Sequence, residues 1–80
     1  MEIENIIKQA KQIAVKPFNV FGHTITVNRA KSLNITVDGP VVVKRDIIIV
    51  PIDIFHFNTF KSEKRNIVLY RDSLKVKERY

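Results

Sequence analysis

Apolar residues at Ile3, Ile6, Ile7, Ala10, Ile13 and Ala14 recur at three- and four-residue intervals, with Glu4, Lys8, Gln9, Lys11 and Gln12 between them. That spacing is the stripe of an amphipathic α-helix. Glu4 and Lys8 stand at i,i+4 in the favourable order, and acids leading lysines suit the helix dipole. Pro17 pushes Lys16 out of helical geometry, so the pattern predicts one helix over about residues 2–14.

After Pro17 the period changes to two. Phe18 and Val20 alternate with polar neighbours, then Phe21, His23, Ile25 and Val27 alternate in the opposite phase. The slip at Gly22 predicts a tight turn or a bulge between two strands. Asn28–Ser32 is polar and reads as a loop, and Leu33, Ile35 and Val37 resume the alternation. Asp38-Gly39 is the residue pair of a type I′ hairpin turn, with Gly39 at positive φ. It predicts that Leu33–Val37 pairs with Pro40–Lys44. Lys44-Arg45-Asp46 puts three charges between two apolar runs and predicts a further turn. Ile47–Val50 is apolar on both faces, as a central strand would be, and Pro51 calls for a break or bulge after it. Ile52–Phe57 continues as strand, Asn58–Asn66 reads as a charged surface loop, Ile67–Tyr70 is the next strand, and Arg71-Asp72-Ser73 turns the chain into Leu74–Tyr80.

These elements specify a single α+β domain over residues 1–80: an N-terminal amphipathic helix packed on a strongly bent antiparallel sheet of five to six strands. Closure into a small SH3-like barrel is one way to complete such a sheet.

Composition narrows the chemistry. There is no cysteine, hence no disulfide and no thiolate ligand or nucleophile. His23 and His56 are too few, and Asp53 and His56 too divergent along their strand, to predict a metal site. Two glycines seventeen residues apart form no phosphate-binding loop, and no paired carboxylates or nucleophile motif stands out. The sequence therefore predicts neither an enzyme nor a cofactor. An acidic N-terminus with lysines at 8 and 11, and no long apolar run, predicts an intracellular, cytoplasmic protein without a membrane partner.

The net charge of +6 changes the picture more. Residues 60–80 hold seven cations against three acids, and so carry four of the six excess charges. Lys75, Lys77 and Arg79 alternate along a strand and would project from one face about 6.8 Å apart, near the spacing of successive phosphates. Lys61, Lys64 and Arg65 add to the same field from the neighbouring loop. These six residues are the expected nucleic-acid contacts. The competing reading is a solvated edge strand kept charged against aggregation. Phe55, Phe57, Phe60 and Tyr70 lie near the basic segment and offer surfaces for base stacking, although core or hairpin packing is their simpler use. Phe60, in a polar stretch, is the most suggestive of them.

A second functional class rests on the 12 isoleucines and 10 valines. They exceed what one helix on one sheet readily encloses in a chain that buries only about 63% of its surface. The surplus, on the helix stripe or along Ile47–Ile54, predicts a homodimer, either beside the nucleic-acid role or in place of it.

Overall fold

The computed structural model describes residues 3–22 and 31–80. The isoleucine stripe forms helix α1 (Ile3–Ala14), which buries Ala10 and Ala14 and packs Ile6 and Ile13 against the core; Ile3 remains exposed. Pro17 ends this helix and also begins another. Residues Pro17–Phe21 form a short helix, α2, where alternation of Phe18 and Val20 predicts strand. Proline at the first helical position costs no hydrogen bond, and Gly22 closes the turn with its N–H donated to the Phe18 carbonyl. Asn19 then ties the helices together: its Nδ2 donates to the Ile13 carbonyl at 2.8 Å, which also accepts the Lys16 N–H at 3.3 Å at the end of α1. The phase slip at Gly22 thus marks a helix end. The expected strand through His23–Val27 lies outside the described residues.

The sheet is antiparallel throughout, with strands β1 (Leu33–Val37), β2 (Val42–Val43), β3 (Ile47–His56), β4 (Lys61–Tyr70) and β5 (Val76–Arg79). Its order is β1-β3-β4-β5, with β2 also on β3. No ladder joins β1 to β5 among the described residues, so the sheet is open, without the closure of an SH3-like barrel. The long β3 is central, as its run of isoleucines predicts.

Asp38-Gly39 is not a hairpin turn. Both β1 and β2 run antiparallel to β3 along the same edge: Val37 pairs with Ile52 and Val42 with Ile49. Asp38–Val41 therefore bulges between two pieces of one interrupted edge strand. Glycine at positive φ occurs among the described residues only at Gly22. The tight turn is one element later, where the Lys44 N–H donates to the Ile47 carbonyl at 2.8 Å around Arg45-Asp46. The bulge also explains how Pro51 sits inside a central strand without breaking it. The Pro51 carbonyl accepts the Asp38 N–H at 2.9 Å, and N and O of a strand residue face the same side. The missing N–H therefore points at the bulge, the one place on that edge where the ladder is already interrupted.

Paired residues share a face, which sorts the sheet into two surfaces. One carries Leu33, Ile35, Val37, Val43, Ile48, Val50, Ile52, Ile54, Ile67, Leu69 and Val76 and meets both helices. The other carries Val42, Ile47, Ile49, Val68 and Tyr70 toward the Arg45-Asp46 end, then Pro51, Asp53, Lys64 and Phe55 toward the other end. The buried cluster that includes residues of both helices lies on the first face, while on the second Val68 is also buried, at 2% exposed.

Candidate nucleic-acid interface

The expected loop over Asn58–Asn66 is mostly strand. Lys61–Asn66 belongs to β4, and only Phe57–Phe60 connect His56 to Lys61. Alternation along β4 is hidden because its first half puts charges on both faces. Lys61, Glu63 and Arg65 lie on the helix side, while Ser62 and Lys64 lie on the open side. On the helix side an ion network takes the place of apolar packing. His56 Nε2 meets Glu63 Oε1 at 2.8 Å, and Arg65 donates from Nε to Glu63 Oε2 at 3.1 Å. The hydrogen bond from His56 is the main force holding the Glu63 carboxyl below its usual pKa; partial burial opposes it and Arg65 adds to it.

The six expected contacts do not converge on one surface. Lys64 bonds Asp38 Oδ2 at 2.6 Å; this raises its pKa above the usual lysine value, and Asp53 adds a smaller effect. Arg65 is held by Glu63 at 3.0 Å, and Lys77 lies 3.8 Å from Glu78. The ladder of Lys75, Lys77 and Arg79 is broken by a register shift. Val68 pairs with Glu78 and Leu69 with Val76, which leaves Lys77 as the extra residue of a bulge. The bulge turns Arg79 to the face of Ile67 and Val76, where its guanidinium reaches the Asn19 carbonyl at 3.5 Å and lies against Gly22. Arg79 joins β5 to α2. Among the described residues, Lys61 and Lys75 have no ion-pair partner.

The aromatic residues gather where the cations do not. Phe55, Phe57 and Phe60 cluster at the β3–β4 hairpin tip, with ring centroids 5.1 Å apart for Phe55–Phe57 and 6.3 Å for Phe55–Phe60, both edge-on. Phe57 is 48% exposed and Phe60 79%, so neither is a core residue, and their edge-on contacts with Phe55 are the hairpin packing that is the simpler expectation for them. Tyr70 is on the open face at the opposite end of the sheet.

Two lysines flank this tip. Lys61 follows Phe60 directly. Lys31 lies just before β1, next to Ser32, whose carbonyl accepts the Phe57 N–H at 3.0 Å. Lys31 is a residue that sequence reasoning missed: its polar surroundings read as an ordinary loop, and only the pairing of β1 with β3 brings it here. No protein family, curated protein or solved structure matches the chain.

Proposed function

We propose that this protein is a small basic module that binds nucleic acid, with the contact centred on the β3–β4 hairpin end. The observation that carries the reading is the meeting there of exposed aromatic rings, Phe57 and Phe60, with Lys31 and Lys61, two cations free of ion-pair partners among the described residues. Lys75 and Lys77 lie at the opposite end of the sheet, beside Tyr70, and add to the positive charge of the molecule as a whole. Lys64 and Arg65 contribute charge that their own acids partly offset, and Arg79 contributes least because α2 holds it.

Binding of this kind is driven by counterion release and is strongly salt-sensitive. Contact with three to five phosphates gives a log–log salt slope of about −3 to −4.5 on duplex DNA. A fluorescence-anisotropy titration at several salt concentrations measures it. A Lys31/Lys61 double alanine variant should lower affinity more than a Lys75/Lys77 double alanine variant and flatten the slope by about two. Absence of binding at about 50 mM salt rejects the reading.

A second reading, self-association, is favoured by the open face. Val42 and Tyr70 are 45% and 43% exposed there and flank the half-buried Ile47 and Ile49. A two-fold sandwich of these faces would cover the apolar half of each, and light scattering at micromolar concentration should then report a mass near twice the 9.3 kDa of one chain. A concentration-independent monomer rejects it.

A further inference from the structure

Two hairpin loops in this protein have the same construction and opposite consequences. In Phe57–Phe60 the Phe60 N–H donates to the His56 carbonyl at 2.8 Å, and Phe60 closes the loop at φ 53°. In Arg71–Leu74 the Leu74 N–H donates to the Tyr70 carbonyl at 2.8 Å, and Leu74 closes the loop at φ 58°. Both put a large side chain in the left-handed region, where steric strain favours glycine or asparagine. For Leu74 there is a compensation within the fold, since its side chain packs against the core. For Phe60 there is almost none: the ring is 79% exposed, and its aromatic neighbour Phe55 is 6.3 Å away. The strained backbone presents a large apolar ring mostly to water, with the edge-on contact to Phe55 as its described ring contact in the free protein.

We infer that Phe60 and Phe57 form a base-stacking platform that selects single-stranded over duplex nucleic acid. The inference rests on the nucleic-acid reading above and names its substrate class. In a duplex the base faces are already stacked on one another, whereas in a single strand they are open to aromatic side chains. Half-buried Phe55 braces both rings from below by edge-on contact, which leaves Phe57 and Phe60 as the outward surfaces. Lys61 adjoins Phe60 in sequence and Lys31 adjoins Ser32, whose carbonyl accepts the Phe57 N–H, so both cations start from backbone next to the rings. Stacking is tolerant of base identity, so discrimination should be by strandedness and not by sequence.

The test compares an oligothymidine of about 15 nucleotides with the same strand annealed to its complement, for the wild type and for Phe60→Gly, Phe57→Ala and Lys61→Ala. The wild type should bind the single strand at least about 10-fold more tightly. Phe60→Gly should lose about 5- to 100-fold on the single strand, with little change on the duplex. Its salt slope should stay unchanged, because no phosphate contact is lost, whereas Lys61→Ala should flatten the slope on both probes by about one. Glycine adopts the left-handed conformation freely, so the thermal midpoint of Phe60→Gly should be equal to or above that of the wild type. A lowered midpoint would make the ring a packing residue and overturn the inference. Equal affinity for both probes, unaltered in Phe60→Gly and Phe57→Ala, overturns stacking while leaving the nucleic-acid reading intact. Failure to bind either probe rejects both, as does Phe60-dependent binding to anionic phospholipid vesicles without binding to either oligonucleotide.

Discussion

Ile52→Ala should lower the free energy of unfolding by about 2–5 kcal/mol. Ile52 is 0% exposed at the middle of the central strand, paired with Val37 on one side and with Arg65 on the other. Truncation removes three carbons from a site flanked on its own face by Val50 and Ile54, both also fully buried. A ten-residue strand hydrogen-bonded on both sides cannot move to close the resulting cavity. Against the few kcal/mol that hold a domain of this size together, that loss is severe. In urea the transition midpoint should fall by about 2 M with an unchanged slope. Ile49→Ala, on the opposite face of the same strand, is the internal control. Ile49 is only half-buried and leaves no enclosed cavity, so its cost should stay below about 1.5 kcal/mol at concentrations where the protein is monomeric. A loss below about 1.5 kcal/mol for Ile52→Ala would mean that the two faces are not differentiated as described.

That asymmetry bears on what the sequence could reveal. The run Ile47–Val50 announces a central strand, since apolar residues at every position fit a segment hydrogen-bonded on both sides. It cannot say that one face carries no described helix, because a half-covered face and a covered one use the same residues. The α1 stripe and the Arg45-Asp46 turn were legible for a similar reason: each depends on neighbours within four residues. The errors fall where distant pairing overrides local pattern. Phe18 and Val20 alternate like a strand, yet five residues bounded by Pro17 and Gly22 are short enough to form a single turn of helix. Lys61–Arg65 looks like a loop because its inner face is lined by an ion network, which only the opposing His56 makes sense of. Arg79 looks like the third rung of a basic ladder until one extra residue at Lys77 turns it toward α2. The charge excess of residues 60–80 was visible in composition, but the arrangement of its cations depended on a bulge that composition does not encode. The aromatic tip was half visible. Phe60 stood out as an apolar residue among polar ones, while its left-handed backbone and the approach of Lys31 depend on the fold.

Gly22→Ala should destabilise the protein by about 1–3 kcal/mol, whereas Gly39→Ala should cost less than about 0.5 kcal/mol. Local sequence suggests the reverse, because Asp38-Gly39 resembles a turn that demands positive φ at glycine. The ladder removes that demand: with β1 and β2 both on β3, Gly39 lies in a bulge outside the left-handed region. A Cβ there would meet Pro51 Cγ at 3.6 Å, an ordinary van der Waals contact. Alanine would also reduce the freedom of the unfolded chain, which offsets any small loss in the folded one. Gly22 is the opposite case. Its φ of 81° and ψ of −158° occupy a region that is essentially glycine's alone, and the hydrogen bond to the Phe18 carbonyl holds it there. A Cβ would stand 3.4 Å from the Arg79 guanidinium, so relief by shifting would disturb the contact that joins β5 to α2. Thermal and urea unfolding of the two single variants decides the matter. An equal cost at both positions, or a larger one at Gly39, would return the hairpin turn to Asp38-Gly39 and overturn the edge-strand assignment of β1 and β2.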